Sequence, residues 1–173
     1  MVNNAKVIFL FGMSGTGKNY LGEKLSKKIG FEFYDADDEF TDHEIEHLKK
    51  VTLTDKMRDN YHSRLISIVH DKLGKYKNVI IASCLVKQRH RELFQDEFND
   101  RIKFVYLYAD NNTILGRLTK REHFFPPEKY YDLLYKYDSV PQKFPCIKVL
   151  NSDNSNVVPI ILKYIGVGNN EVI

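Results

Sequence analysis

Short apolar runs alternate along the chain with stretches of helical spacing. The runs are rich in β-branched and aromatic residues, which is typical of buried strands. They are VIFLF (7–11), FEFY (31–34), NVIIAS (78–83), IKFVYLYA (102–109) and CIKVL (146–150). Because helical stretches separate the runs, the strands are expected to be parallel and covered by helices on both faces. The pattern therefore predicts an α/β fold.

The helices are predicted from apolar spacing and from capping residues. The first combines apolar residues at helical spacing with a glycine stop: Leu21, Leu25, Ile29 and Gly30. Thr54 is a candidate cap for a central helix with one apolar face: Met57, Tyr61, Leu65, Ile68 and Leu73. Further helices are predicted over 87–98, 112–121, 127–137 and 154–165. Two polar stretches, 35–53 and 121–127, do not fit the alternation, and functional residues are expected there.

Composition narrows the class of protein. The 173 residues suit a single domain, 1–173, with an adequate core. The net charge of +3 is small and its basic residues are scattered, so no nucleic-acid partner is expected. Cys84 and Cys146 are too few for a disulfide framework and are predicted to be reduced core residues. No run reaches the length of a membrane span, and we expect a cytoplasmic protein without membrane contact.

Residues 12–19 read GMSGTGKN and match the phosphate-binding pattern G-x-x-x-x-G-K-[ST] except at the last position. A strand is predicted before this segment and a helix after it, so backbone N–H groups would converge on one anion site. Lys18 is placed to bridge the β- and γ-phosphates of a nucleotide and is a predicted catalytic residue. The predicted nucleotide-binding residues of this phosphate loop are Gly12, Met13, Ser14, Gly15, Thr16, Gly17, Lys18 and Asn19.

Asn19 stands where a Ser or Thr hydroxyl would bind magnesium. Its amide oxygen is also a hard ligand, so Asn19 either holds Mg²⁺ weakly or through water, or marks a site without turnover. Asp35, at the carboxyl end of the second strand, is the other predicted metal ligand, because the third strand ends without an Asp. Asp37 is predicted to orient or deprotonate the attacking hydroxyl. Alternatively, DADD (35–38) caps the next helix, a role suited to Asp38.

The segment HEIEH (43–47) satisfies H-E-x-x-H, the pattern of zinc proteases. Its surroundings are polar, Lys50 stands where the extended pattern has glycine, and no clear third ligand helix follows. A solvated helix face is therefore the favoured interpretation.

Basic residues near strand ends and helix starts are candidates for binding anions. Arg58 lies at the start of the central helix, and Ser83 and Lys87 lie at the carboxyl end of the third strand. Arg117 and Arg121 are one helical turn apart and precede a break at HFFPP, which predicts a lid over about 121–127.

Taken in order, these motifs resemble those of the small gluconate kinase family, relatives of shikimate and nucleoside-monophosphate kinases. GMSGTGK resembles the family's phosphate loop, YDADD its D-G-D segment and LTDKMR its L-T/N-D-x-D-R stretch. IIASCL…RHREL is similar to C-S-A-L-K…Y-R-E-L, and RLTKREHFF to R-L-x-x-R-x-G-H-F-F; LLYKYD resembles L-x-S-Q-F-E. The family's His-Pro after D-G-D is replaced by Phe40-Thr41, and its lid glycine is Glu122.

The resemblance implies a three-layer α/β/α sandwich with a five-stranded parallel sheet ordered 2-3-1-4-5, and a short lid. It also implies transfer of the γ-phosphoryl group of ATP, with Mg²⁺, to a hydroxyl of an anionic sugar acid, gluconate first. The resemblance also implies roles for individual residues. Lys18 would contact phosphates, Asp35 would support Mg²⁺, and Arg117 would lie against adenine or phosphate. Asp37 and Arg58 would contact the substrate, and the lid would contain Arg121 as a catalytic residue and His123 as a substrate-binding residue. The same resemblance implies a homodimer.

Two other functions stay open at this point. One is a kinase with a different acceptor, such as shikimate or a nucleoside monophosphate. The other is a degenerate module that binds nucleotide without transferring phosphate, which Asn19 and the altered acceptor motifs favour.

Overall fold

The computed structural model of the chain describes residues 6–120, 127–130, 132, 140–152 and 156–167. Five strands form one sheet: β1 (Lys6–Phe11), β2 (Glu32–Asp35), β3 (Asn78–Ser83), β4 (Ile102–Tyr108) and β5 (Ile147–Leu150). Their order is β2-β3-β1-β4-β5, and every neighbouring pair is parallel. The α/β fold and the implied strand order are therefore confirmed.

Helices cover the sheet: α1 (Lys18–Ile29), α2 (Asp42–Lys49), α3 (Asp55–Lys75), α4 (Gln88–Phe98), α5 (Asn111–Thr119) and α6 (Val158–Ile165). Short 3-10 helices occupy Ala36–Glu39, Asn99–Arg101 and Pro127–Lys129. The helix predicted over 127–137 begins in the last of these, and most of its remainder lies outside the described residues. The predicted start of the last helix at 154 also lies outside them.

Local capping chemistry sets several of these boundaries. Gly30 ends α1 in the left-handed conformation, with φ 69°, as its position predicts. The Thr54 hydroxyl accepts from the Met57 N–H at 3.3 Å and caps α3. The polar stretch 35–53 contains α2, whose cap is Thr41 rather than Asp38, because Thr41 forms a reciprocal capping box with Glu44. The alternative that DADD caps the next helix holds for Asp35, whose side chain caps the 3-10 helix Ala36–Glu39.

The two faces of the sheet bury different side chains because neighbouring strand residues point to opposite sides. One face is aromatic where α3 and α4 pack on it: Phe9, Phe11, Phe94, Phe98 and Phe104. The opposite face is aliphatic under α1 and α6: Ile8, Leu10, Leu25, Val105 and Ile161. Each such side chain contributes about 1.5–3 kcal/mol by burial. This double core fixes the carboxyl ends of β1, β2 and β3 side by side. Within the described ranges, no helix is both long and apolar enough to cross a bilayer.

Candidate functional site

The phosphate loop between β1 and α1 has a backbone that only glycine accommodates at two points. Gly12 has φ 148°, and a Cβ placed on it would lie 2.1 Å from the Leu107 carbonyl oxygen. Gly17 has φ 88°, and its Cβ would lie 2.5 Å from Asn151 Nδ2. Both residues therefore allow the loop to pass close to neighbouring strands and then open α1. The predicted strand–loop–helix arrangement is present.

Lys18 is buried, and its ammonium group reaches back across the loop. Its Nζ donates to the Met13 carbonyl at 3.1 Å and lies 3.5 Å from Cys84 Sγ. Only 7% of Lys18 is exposed. The charge is therefore held beside the loop, as phosphate binding requires. Cys84, which follows β3 and is half-buried, was predicted to be a core residue, and its contact with Lys18 was missed.

Asn19 and Asp35 are brought together, as their prediction as metal ligands requires. The Asn19 amide nitrogen donates to Asp35 Oδ2, and Asp35 Oδ1 accepts from the Asp37 N–H at 3.0 Å. Burial raises the pKa of Asp35 above its ordinary value, against the opposing effect of the Asp37 N–H. The carboxylate is therefore already engaged through both oxygens.

The residues at this point can supply part of the coordination shell of a magnesium ion. Kinases hold Mg²⁺ with one or two protein carboxylates and complete the shell with phosphate oxygens and water. Asp35 supplies such a carboxylate, and Asn19 would supply its oxygen after its amide turns away from Asp35. Among the described residues, no group of three or more His, Cys, Asp or Glu side chains forms a separate metal site.

Asp37 lies near a buried tyrosine that sequence reasoning assigned to the core alone. The Tyr61 hydroxyl donates to the Ala36 carbonyl at 2.9 Å and lies 3.3 Å from Ser83 Oγ. Burial raises the pKa of Tyr61 well above its ordinary value, and the negative charge of Asp37 adds to this effect. Tyr61 and Ser83 therefore tie the start of the 3-10 helix, and with it the DADD segment, to the end of β3. The sequence does not indicate these hydrogen bonds, because Tyr61 fits the apolar face of a helix.

The predicted acceptor-binding cations occupy different settings. Arg58 is 7% exposed, and its charge lowers the pKa of Cys84, which burial raises more strongly, so the two residues lie within electrostatic range of each other. Lys87 instead forms an ion pair with Asp55, which also binds Arg89 at 3.1 Å. Arg58 is thus gathered at the site, whereas Lys87 lies in a surface network between the starts of α3 and α4.

Arg117 on α5 is joined to the phosphate loop through backbone groups. Its Nη1 donates to the Gly15 carbonyl at 3.3 Å, and its Nη2 donates to the Asn151 carbonyl at 2.9 Å. This places Arg117 beside the predicted nucleotide site. Arg121, His123 and all of the predicted lid except Pro127 lie outside the described residues.

The HEIEH segment lies on α2, and its contacts do not suit a zinc protease. Glu44, the residue that would act as base, is 5% exposed and pairs with Arg64 at 2.7 Å. His47 Nδ1 lies 2.9 Å from the Thr52 hydroxyl. Glu44 therefore has a structural role, and these contacts give the zinc-protease interpretation no support.

Comparisons with known proteins agree with this arrangement. Residues 8–124 match the family described as AAA domain. A probable gluconokinase from Mus musculus is 30% identical over 140 residues, covering 70% of this chain and 76% of that protein. A probable gluconokinase from Xenopus tropicalis is 28% identical over 164 residues, covering 83% and 85%.

A sugar kinase from Janibacter sp. HTCC2649 has a similar fold, with a TM-score of 0.82 at 20% identity, covering 98% of this chain and 99% of that one. The loop geometry, the strand order and these relatives lead to one assignment. The chain belongs to the gluconokinase family of small phosphate-loop kinases, and it is a phosphotransferase with a hydroxyl group as acceptor.

Proposed function

We propose that this protein transfers the γ-phosphoryl group of ATP to a hydroxyl of a sugar acid, with gluconate as the acceptor. The observation that carries the proposal is the placement of Lys18 beside Cys84, with Asp35 and Asp37 at the neighbouring strand end. A phosphate-binding cation and a pair of carboxylates thus share one edge of the sheet. The named gluconokinase relatives support the choice of acceptor.

Positioning and charge neutralisation would carry the reaction. The loop N–H groups and Lys18 would bind the β- and γ-phosphates and stabilise charge on the transferring group. Asp35 and Asn19 would hold Mg²⁺, which neutralises phosphate charge when it is bound. Asp37 would accept a hydrogen bond from the acceptor hydroxyl and direct it towards the phosphorus atom. Arg121 would add positive charge from the lid.

Arg58 is the described cation best placed for an anionic acceptor. It is buried at the start of α3 and electrostatically close to Cys84, next to Lys18. A carboxylate of the acceptor would be neutralised there at low dielectric, where an ion pair is strong. Ser83, Lys87 and His123 would complete the acceptor site, and Lys87 would exchange Asp55 for the substrate.

The gluconokinase relatives argue against the alternative of a nucleotide-binding module without turnover. The observation that favours such a module is the Asn19 amide, which donates to Asp35 instead of presenting an oxygen to a metal. A kinase for shikimate or for a nucleoside monophosphate differs from the first proposal only in the acceptor.

One assay separates these functions. ATP consumption by the purified protein is measured with gluconate, other sugar acids, shikimate and nucleoside monophosphates, each with and without Mg²⁺. Turnover with gluconate above the no-acceptor rate is the expected result. Turnover with another acceptor alone would replace the substrate, and ATP binding without turnover for any acceptor would favour the binding module.

A further inference from the structure

Side chains from elsewhere in the chain donate hydrogen bonds to the backbone carbonyl groups of the phosphate loop. When successive loop N–H groups point towards an anion, several carbonyl groups must point away from it and need donors of their own. The Thr16 carbonyl accepts from Asn151 Nδ2 at 2.8 Å. The Gly15 carbonyl accepts from Arg117 Nη1 at 3.3 Å. Asn151 and Arg117 thus hold the outer side of the loop.

Asn151 is itself fixed by two other elements. Its backbone N–H donates to the Tyr108 carbonyl at 2.8 Å, which extends the pairing of β4 with β5 by one residue. Its backbone carbonyl accepts from Arg117 Nη2 at 2.9 Å. The Asn151 amide therefore approaches the loop from the end of β5 and is aligned by Arg117 of α5.

The contact is close enough to constrain the loop sequence. A Cβ on Gly17 would lie 2.5 Å from Asn151 Nδ2 and 3.7 Å from Arg117 Nη1. The Gly17 position thus leaves room for Asn151 as well as for the turn into α1. None of the motifs in the sequence includes Asn151, which lies 135 residues from Thr16.

We propose that Asn151 is a positioning residue that holds the phosphate loop in its anion-binding conformation and couples the loop to Arg117. The inference rests on the proposed nucleotide binding. Asn151 should therefore affect the affinity for the polyphosphate part of the ligand. The reason is that Asn151 bonds to a carbonyl of the loop whose N–H groups bind phosphate. A base-contacting role would instead leave a bare polyphosphate unaffected.

The test compares three ligands on three proteins. Dissociation constants of ATP, inorganic tripolyphosphate and adenosine are measured for the wild type, for Asn151→Ala and for Asn112→Ala. Asn112 is an exposed asparagine at the start of α5 and serves as the matched control. Loss of one positioning hydrogen bond is expected to weaken ATP and tripolyphosphate together by about three- to tenfold in Asn151→Ala. Adenosine binding and the Asn112→Ala variant should change less than about twofold, within the range of surface substitutions.

A second variant keeps the test decisive if Asn151→Ala is poorly folded. Asn151→Asp keeps the shape of the side chain but replaces the donor with an acceptor facing the Thr16 carbonyl, so both phosphate ligands should weaken further. Weakening of ATP but not of tripolyphosphate would overturn the inference, since Asn151 would then act on the base. A lower melting temperature with unchanged phosphate affinity would also overturn it, because the role would be structural only. Failure of the wild type to bind either phosphate ligand would instead count against the proposed function.

Discussion

The proposed nucleotide and acceptor ends of the site differ in how their charged groups are held. The nucleotide end is the phosphate loop, and the acceptor end is formed by Asp37, Arg58 and Lys87. At the nucleotide end, Lys18 lies against the Met13 carbonyl and Cys84, and Asn151 holds the outer side of the loop. At the acceptor end, Lys87 is paired with Asp55 on the surface between α3 and α4. The proposed nucleotide end is thus held by contacts within the chain, whereas Lys87 would have to exchange its ion pair with Asp55 to bind an acceptor.

This difference follows from how each end is built. The phosphate loop is one continuous segment whose geometry is set by glycines and by the strand and helix on either side. The acceptor end combines side chains from the end of β2, the start of α3 and the residues after β3. Affinity for nucleotide should therefore survive changes at the acceptor end, and the following predictions test that separation.

Lys18→Ala is expected to have the largest effect. Removal of the ammonium group leaves phosphate charge without its main protein cation, and kcat should fall about 10²–10³-fold. Steady-state ATP consumption with the best acceptor measures the change, and Lys24→Ala, an exposed lysine on α1, is the matched control. Near-normal turnover in Lys18→Ala would remove the assigned role of the loop.

Asp37→Asn should separate the two ends. The amide cannot accept a proton from the acceptor hydroxyl, so kcat should fall about 10²-fold while the ATP dissociation constant stays within about twofold. Parallel measurement of turnover and nucleotide binding gives both quantities, with Asp38→Asn as the neighbouring control. A large loss of ATP affinity would show that Asp37 belongs to the nucleotide end.

Acid should lower the free energy of unfolding, because His62 is buried beside Arg58 of the proposed acceptor end. His62 is buried, its ring stacks on His90 with centroids 4.0 Å apart, and its Nδ1 lies 2.7 Å from the Arg58 carbonyl. Burial lowers the pKa of His62 from 6.5 to about 3, and the neighbouring His90 adds to this effect.

Because the unfolded chain takes up this proton near pH 6.5, the free energy of unfolding should be highest above that pH. It should then fall by about 1.4 kcal/mol for each pH unit between 6.5 and 3. Denaturant unfolding from pH 7 to pH 5 measures the slope, which His62→Gln should reduce and the exposed-site variant His43→Gln should not. An unchanged slope in His62→Gln would mean that other groups control the acid sensitivity.

Asn19→Thr should have the smallest effect. It tests the proposed magnesium ligands, which lie between the two ends. The hydroxyl offers Mg²⁺ a ligand and removes the amide that donates to Asp35. With Mg²⁺ present, we expect Asn19→Thr to bind ATP about as tightly as the wild type does. When EDTA removes the metal, the variant should lose a few-fold more ATP affinity than the wild type. Isothermal titration calorimetry measures both affinities. If the substitution lowers activity instead, Asn19 is a selected ligand in this chain.

Much of the fold was predictable because local patterns determine it. The five apolar runs correspond to β1–β5 within one or two residues, and Gly30 and Thr54 end and begin helices as predicted. The strand order came from the family resemblance, since period and composition do not specify which strands are neighbours. The alternative that DADD caps the next helix holds for Asp35, which caps the 3-10 helix Ala36–Glu39, whereas Thr41 rather than Asp38 caps α2.

The sequence by itself determined the phosphate loop, since its glycines, its lysine and the flanking strand and helix are all consecutive. Only the tertiary structure decided which distant groups complete the site. The pairing of β5 with β4 places Asn151 on the Thr16 carbonyl, and the junction of α3 with α4 places Lys87 on Asp55. The physical reason is range: backbone conformation responds to neighbouring residues, whereas side-chain partners far apart in the chain depend on how the strands and helices pack.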